Sequence, residues 1–181
     1  MKRNKLVKLL ENYFPSSKEE KIYKIRMLDF IKNNKNCFER SLDEGHFTAS
    51  AWLLNKNETH ALIMHHTKLD IWVQLGGHCD GDSNVLDVSI KEASEESGLS
   101  SITPIQEKIF DIDIHLIPEN KNQKSHYHYD VRFLLKSEND EEIKQNRESK
   151  ELRWIDKKQK NLPTKALSVT RMFNKWISLK K

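Results

Sequence analysis

The sequence has few of the residues that define several classes of protein. It contains two cysteines, five glycines and four prolines in 181 residues. Cys37 and Cys79 are too few for a disulfide framework, and they lack the spacing of cysteine metal ligands. We find no internal repeat and no low-complexity linker. These absences favour a compact protein in a reducing compartment, and we expect it to be cytoplasmic.

Long hydrophobic runs are also missing. No apolar stretch approaches the roughly 20 residues that a membrane-spanning helix needs. The amphipathic segment after the basic start of the chain is interrupted by Glu11 and Asn12, so it lacks the continuous apolar region of a secretory signal peptide. We therefore expect no membrane partner.

The charges are numerous and mixed in sign. Lys and Arg number 31 against 27 Asp and Glu, which gives a net charge of +4. A basic balance can indicate affinity for nucleic acid, but no arginine-rich or aromatic-interleaved segment accompanies it. We therefore expect a small anionic metabolite as the partner and keep nucleic acid as the alternative. With 36% hydrophobic residues, a chain of this length can bury roughly 70% of its unfolded surface in one domain.

Three carboxylates stand out near the middle of the chain. Glu92, Glu95 and Glu96 lie at positions i, i+3 and i+4, so on a helix they share one face. Clustered anions repel one another unless a cation lies between them, and carboxylate oxygens suit Mg²⁺ or Mn²⁺. The competing interpretation is a solvated helix face, in which Lys91 pairs with its acidic neighbours.

The residues around these carboxylates predict where the helix lies. Gly76-Gly77 forms a loop before it, and Gly98 stands where a helix ends in a left-handed residue, followed by Leu99. A separate stripe of small and apolar residues predicts the packing face, with the acidic face pointing away from it; the stripe comprises Leu86, Ile90, Ala93 and Ser97.

The segment from Gly77 to Leu99 resembles the Nudix box, G-x5-E-x7-R-E-U-x-E-E-x-G-U, in which U is aliphatic. Two positions depart from the pattern: Ser83 stands at the first glutamate and Lys91 at the arginine. The serine removes an auxiliary carboxylate, which Asp80 or Asp82 could replace. The lysine keeps the charge but loses the planar fork of a guanidinium. The wider resemblance runs from about Gly45 to Trp154.

The resemblance implies an α/β fold, the Nudix-type α/β/α sandwich with a mixed sheet. It also implies a hydrolase that uses Mg²⁺ or Mn²⁺ to cleave the diphosphate linkage of a nucleoside diphosphate linked to another moiety. The expected metal ligands are Glu92, Glu95, Glu96 and the carbonyl of Gly76, with Glu95 and Glu96 also catalytic. Relatives often draw a further carboxylate from a loop before a late strand, where Glu148 is the better candidate and Glu151 the weaker one.

The coarse pattern of the chain agrees with that architecture. Residues 1–44 are expected to form a helical N-terminal extension packed on the core, and residues 45–181 the hydrolase domain. The extension would cover one side of the core or contact a second copy in a homodimer. Helices are predicted over residues 5–13, from Pro15-Ser16-Ser17 to about Ile31 with Ser16 or Ser17 as the capping residue, and after Pro163. Strands are predicted over residues 47–54, 61–65, 72–75, 106–117, 125–136 and 152–155.

Two predicted strands carry polar side chains on one face. Alternation places Asp111, Asp113 and His115 together on the first strand. The second strand presents a similar set, His126, His128, Asp130 and Arg132. If the strands pair, these side chains form one wall that could bind the substrate beyond its phosphates.

The expected substrate-binding residues are therefore Gly77, His78, His128, Asp130 and Arg132. Amphipathic strands with one face in water are an equally good interpretation. A zinc site that uses His115, His126 or His128 is a weaker one, because no metal-ligand spacing supports it.

Other functions remain open at this point. The basic balance is compatible with an RNA 5′-end pyrophosphohydrolase, and a non-hydrolytic nucleotide-sensing module would keep the fold without turnover. A diphosphate-using isomerase needs a histidine-rich metal site and a catalytic cysteine, which the position of Cys79 does not clearly match. Intact glutamates favour the hydrolase. The sequence leaves the substrate open, because selectivity lies outside the box.

Overall fold

The computed structural model describes residues 3–121, 123–139 and 142–179. Within them two helices precede the first strand, one lies between the fourth and fifth strands, and one follows the last strand. They are α1 (Arg3–Glu11), α2 (Lys18–Asn33), β1 (Gly45–Leu54), β2 (His60–His66), β3 (Trp72–Val73), β4 (Leu75–His78), α3 (Val85–Ser97), β5 (Ile102–Ile117), β6 (His126–Ser137), β7 (Ser149–Asp156) and α4 (Leu167–Ser178).

The strands form one mixed sheet. Its main path runs β3-β2-β1-β6-β5, while β4 pairs with β1 and β7 pairs with β2. The β1–β6 pair is parallel, from Gly45 opposite Tyr127 to Leu54 opposite Lys136. The other pairs are antiparallel. This arrangement confirms the predicted mixed sheet.

Helices cover both faces of the sheet. All of β1 is buried, and its residues alternate between two hydrophobic clusters. Phe47, Ala49 and Ala51 pack with α1, α2 and α3, whereas Trp52 and Leu54 pack with α4. Because successive strand residues point to opposite faces, the two clusters lie on opposite sides of the sheet. The α/β/α sandwich is therefore confirmed.

Local signals set the ends of two helices as expected. The Ser17 side chain caps α2 by accepting a hydrogen bond of 3.1 Å from the Glu20 N–H. Gly98 ends α3 with φ of 72°, a left-handed conformation that glycine adopts without a steric penalty. The end at Gly98 was predicted from the sequence, and Ser17 is one of the two predicted capping candidates.

The N-terminal helices pack on the sheet. Leu6 and Leu10 of α1 are fully buried, as is Met27 of α2. The Phe30 ring stacks on Tyr129 of β6 with 4.0 Å between centroids. Among the described helices, none combines the length and the apolar character that crossing a membrane requires.

Candidate active site

The three box glutamates of α3 lie beside strand β4, but they differ in burial. Glu95 is exposed, Glu92 is partly buried and Glu96 is 2% exposed. A carboxylate oxygen of Glu96 accepts a hydrogen bond of 2.7 Å from the Gly76 N–H. The expectation that the whole acidic face points away from the packing face is therefore wrong for Glu96, because β4 passes directly against it.

Burial and mutual repulsion raise the proton affinity of this cluster. Burial raises the pKa of Glu96 to about 8, and the negative charges of Glu92, Glu148 and Glu95 act in the same direction. The pKa of Glu92 is also raised, again chiefly by burial. Carboxylates that destabilise one another's charge form a site that a cation would stabilise. The donor set, made of oxygens, fits Mg²⁺ or Mn²⁺.

Gly77 allows the close approach of β4 to α3. A Cβ atom at this position would overlap the Glu92 carboxylate. The absence of a side chain at Gly77 therefore shapes the space around Glu92. Its neighbour Gly76 already uses its N–H on Glu96, so the backbone and the carboxylates form one compact unit.

Lys91 bridges two of the carboxylates despite replacing the arginine of the pattern. Its Nζ lies 3.4 Å from Glu92 and 3.6 Å from Glu95. The residues suggested as substitutes for the auxiliary carboxylate have other partners. Asp80 pairs with Arg40, and Asp82 accepts a hydrogen bond of 2.9 Å from the Asn84 N–H.

The loop before β7 brings a fourth carboxylate to the cluster. Glu148 is exposed, and its charge contributes to the raised pKa values of both Glu92 and Glu96. Asn146 holds this loop on α3, since its side chain donates to the Glu95 carbonyl at 3.3 Å and accepts from the Glu148 N–H at 2.9 Å. Glu151 instead pairs with Arg153 at 2.7 Å.

Arg40 is a component of this region that the sequence pattern did not reveal. It is half exposed and ion-paired with Asp80. Hydrogen bonding to Asp80 raises the pKa of its guanidinium, and the charges of Glu92 and Glu148 add to the effect. Arg40 lies in the segment between α2 and β1, outside any motif, so only the folded chain places it near the glutamates.

Comparison with known proteins identifies the architecture. The structure matches the C. elegans Ap4A hydrolase (TM-score 0.57, 15% identity, 72% of this chain and 93% of that one). It also matches a NUDIX-family hydrolase from Clostridium perfringens (TM-score 0.55, 23% identity, 72% and 95%). The chain has the Nudix fold.

Similarity to known proteins is weaker in sequence than in structure. No family model matches the chain. Over 138 residues it is 28% identical to the probable DHNTP pyrophosphohydrolase of Lactococcus lactis subsp. cremoris, covering 75% of this chain and 80% of that protein. The E. coli dihydroneopterin triphosphate pyrophosphohydrolase shares the Nudix fold with a TM-score of 0.55 and 12% identity, covering 72% of this chain and 94% of that one.

The expected substrate wall is present on this Nudix fold as a pair of strands. β5 and β6 place Asp111 opposite Arg132, Asp113 opposite Asp130 and His115 opposite His128, as alternation predicts. Most of the wall is nevertheless buried. Asp130 and Arg132 are each 1% exposed, so the interpretation as a face in water is wrong for this part of the strands.

Arg132 and Asp130 are also fully engaged with protein groups. Arg132 Nε donates to Asp130 at 2.6 Å, and one of its Nη atoms donates to Asp111 at 2.9 Å. Asp130 further accepts hydrogen bonds from Thr48 and Ser50 at 3.0 and 2.8 Å. These contacts place both residues in a buried ion-pair network, and their assignment to substrate binding stays a prediction.

The histidine end of the wall is different. His78 and His128 are partly buried, and their rings lie 5.0 Å apart between centroids. Both surround His46, which is fully buried. No sequence pattern indicates His46, because only the parallel pairing of β1 with β6, which sets it opposite His128, brings it to this site.

Proposed function

We propose that the protein is a Mg²⁺- or Mn²⁺-dependent hydrolase that cleaves the diphosphate linkage of a nucleoside diphosphate linked to another moiety. The observation that supports this best is the convergence of Glu92, Glu95 and Glu148 around the buried carboxyl of Glu96, whose pKa is raised to about 8. The 28% identity to a probable DHNTP pyrophosphohydrolase supports the same reaction class.

The proposed ligands of the divalent ion are Glu92, Glu95, Glu96 and the carbonyl of Gly76. When bound, such an ion neutralises phosphate oxygens and makes a coordinated water more acidic. The carboxylates would hold the ion, and Lys91, which touches Glu92 and Glu95, would keep two of them in position.

We assign proton transfer from the attacking water to a carboxylate at the edge of the cluster. Glu148 is the preferred base because it is exposed and adjacent to the buried pair, and Glu95 and Glu96 are the alternatives. Attack at one phosphorus then releases a phosphate monoester and a second phosphorylated fragment. We propose that Gly77, which lies against Glu92, lines the approach from β4 and that the exposed guanidinium of Arg40 attracts the anionic substrate.

A substrate panel tests this function. The protein is incubated with Mg²⁺ and then Mn²⁺ in the presence of dinucleotides, nucleotide sugars, nucleoside triphosphates, dihydroneopterin triphosphate and 5′-triphosphorylated RNA, and products are identified by mass. We expect hydrolysis of a small molecule at a diphosphate linkage. Hydrolysis of RNA alone would favour the RNA 5′-end alternative, and binding without turnover would favour the nucleotide sensor.

Two variants connect the activity to the box. Glu95→Gln and Glu96→Gln each remove a metal-binding or proton-accepting oxygen, so we expect kcat to fall by about 10²–10⁴-fold with the fold preserved. Glu107→Gln changes an exposed glutamate of β5 and serves as the control. Turnover at the wild-type level in both box variants would exclude the proposed assignment. We further propose a cytoplasmic location, in keeping with two free cysteines.

A further inference from the structure

Five of the eight histidines of the chain form one cluster on the sheet. Neighbouring ring centroids are 4.8 to 5.3 Å apart. In three of these residues, one ring nitrogen each lies within 4.8 Å of the other two. The three are His46, His78 and His128, and the remaining two are His115 and His126.

We propose that His46, His78 and His128 bind a transition-metal ion of the zinc class, at a site separate from the carboxylates of α3. The side chains of Phe47 and Ala49 in β1 pack in the hydrophobic cluster that contains α3. His46 directly precedes Phe47 on the same strand. Strand alternation therefore directs the imidazoles to the other face of the sheet. The proposal does not depend on the hydrolase function.

Unpartnered buried nitrogens are the first argument for a ligand. Among the described residues, both ring nitrogens of His46 and Nε2 of His128 are buried without a hydrogen-bond partner. Leaving such a group unsatisfied is destabilising, because the hydrogen bonds that it makes to water in the unfolded chain are not replaced. Three imidazoles that face one another with these nitrogens unpaired would be costly as core packing, whereas a shared metal ion would satisfy one nitrogen of each.

The hydrogen bonds around the cluster are the second argument. His126 Nδ1 lies 2.8 Å from the Lys124 carbonyl, which requires the proton on Nδ1 and leaves Nε2 as a lone-pair donor. His115 Nδ1 lies 3.3 Å from an Asp113 oxygen. A hydrogen bond between Nδ1 and a carbonyl is one of the outer contacts that orient metal-binding histidines, whereas His115 Nδ1 is buried without a hydrogen-bond partner in the described part of the chain. His126, stacked at 5.2 Å on His46, is the nearest candidate for a fourth ligand.

The chemistry of the three ligands indicates which ion would bind. Each of the three imidazoles offers one ring nitrogen as a ligand. Neutral imidazole suits Zn²⁺ and related ions, whereas Mg²⁺ prefers oxygen. The chain would thus separate two metals by ligand type, with oxygens at α3 and nitrogens at the strands.

The spacing requires a small contraction. Zn–N bonds of about 2.0–2.1 Å in a tetrahedron place ligand nitrogens about 3.3 Å apart, and the present spread reaches 4.8 Å. Rotation of the partly exposed His78 and His128 side chains towards the fixed ring of His46 would close that gap without moving the sheet.

Metal titration of chelator-treated protein tests the proposal. Zn²⁺ is titrated against a chromophoric competitor at pH 7.5 with excess Mg²⁺ present, and Co²⁺ is used as a spectroscopic probe. We expect one Zn²⁺ per chain that Mg²⁺ does not displace, a visible Co²⁺ spectrum typical of nitrogen ligation, and a higher melting temperature with Zn²⁺.

Matched variants locate the ion. His78→Gln and His128→Gln should weaken Zn²⁺ binding at least about 10-fold and abolish the shift in melting temperature, since each removes one ligand. His65→Gln, outside the cluster, and Glu95→Gln, in the box, should bind Zn²⁺ as the wild type does. Because these histidines are partly exposed, both variants are expected to fold, which circular dichroism checks. The proposal is overturned if the wild type binds no Zn²⁺ or if the Zn²⁺ is lost in Glu95→Gln but kept in the histidine variants.

Discussion

Glu148 and Glu151 lie three positions apart in the sequence, yet the structure gives them different surroundings. Glu151 forms an ion pair with Arg153 on the same strand. Glu148 precedes β7, and its negative charge acts to raise the pKa values of Glu92, Glu96 and Arg40. An exposed carboxylate that is held by its own backbone beside buried ones is suited to taking a proton from water.

We therefore predict that Glu148→Gln lowers kcat at least about tenfold with little change in stability, as expected when a positioned base or ligand is neutralised. Glu151→Gln is the matched control and should lower kcat less. The measurement is the pH–rate profile of both variants together with their Mg²⁺ dependence. An unchanged profile and metal requirement in Glu148→Gln would show that this residue is only part of the charged surface.

Arg132 was predicted to bind substrate, but its surroundings favour a structural role. Its guanidinium is buried among three aspartates, Asp111, Asp113 and Asp130. Removing one member of a buried ion-pair network leaves uncompensated charge and typically costs about 3–5 kcal/mol. We predict a loss of this size in the free energy of unfolding for Arg132→Ala, measured by urea denaturation.

Arg153→Ala is the control for that measurement. It removes an exposed ion pair with Glu151, and such pairs contribute about 0–1 kcal/mol. A fully stable Arg132→Ala variant with altered substrate preference would contradict the structural role and restore the original prediction of substrate binding.

Single-residue features differ in how far the sequence could predict them. Helical periodicity alone places Glu92, Glu95 and Glu96 together, because their spacing is local. The burial of Glu96 depends on the β4 backbone, and the position of Arg40 depends on the packing of a loop. His46 joins His128 only through the register of a parallel pair that is distant in sequence. Local patterns carry no information about these contacts.

At the scale of elements, the junction of β4 with α3 shapes the candidate active site. β4 pairs with β1, and its glycines meet the carboxylate face of the helix. We predict that Gly77→Ala weakens Mg²⁺ binding and lowers kcat, because the added methyl group would occupy the position of the Glu92 carboxylate.

A double-mutant cycle with Glu92→Ala separates this effect from general damage. If the methyl group acts on Glu92, the two substitutions are non-additive, and Gly77→Ala does little further harm once Glu92 is truncated. Full additivity of the two effects on kcat would mean that Gly77 acts through another contact.

Element boundaries were predicted less well than element types. β5 begins at Ile102 rather than at residue 106, because its pairing with β6 already starts there. The pairing then shifts register twice, between Pro104 and Ile109 and between Ile109 and Asp111. α4 begins at Leu167, four residues after Pro163. The missed residues, 102–105, include Pro104, which is unfavourable within a strand, and their strand conformation depends on pairing with β6.

At the scale of the whole molecule, one charge network joins the N-terminal helices, the sheet and α4. Lys175 of α4 lies 2.6 Å from Asp111 of β5 and 2.9 Å from Glu20 of α2. Arg171, one turn earlier, donates to Asp111 and Asp113 at 2.9 Å. Because the same few groups hold three layers, the loss of their ionisation should affect the layers together.

The pKa values of this network determine the sign of its pH dependence. Burial acts to raise the pKa of Asp111, but hydrogen bonds from Arg171 and the charges of Arg132 and Lys175 lower it below its usual value. Burial also acts to raise the pKa of Glu20, but hydrogen bonds from Ser16, Tyr13 and Lys175 lower it below its usual value. Groups with lowered pKa values stabilise the fold above their unfolded pKa, and this contribution is lost as the pH falls.

The buried histidines have the same sign over a higher pH range. His46 and His78 have folded pKa values of about 4, whereas an unfolded imidazole takes up a proton below about 6.5. Each such group makes the free energy of unfolding fall by up to about 1.4 kcal/mol per pH unit between these values. In chelator-treated protein we therefore predict a decline in stability from about pH 6.5, followed by a steeper decline below about pH 4.5 as the carboxylates protonate.

Urea denaturation followed by circular dichroism between pH 7.5 and 3 measures both stages. Glu20→Gln removes one carboxylate of the second stage, so its stability should be lower at pH 7 and should change less below pH 4.5 than that of the wild type. Glu20 lies on α2 and its partner Lys175 on α4. The circular dichroism signals of the helices and of the buried tryptophans should therefore change together in one transition. Stability that stays constant from pH 7 to 4 would show that neither the imidazoles nor the carboxylates are perturbed as their burial and contacts require.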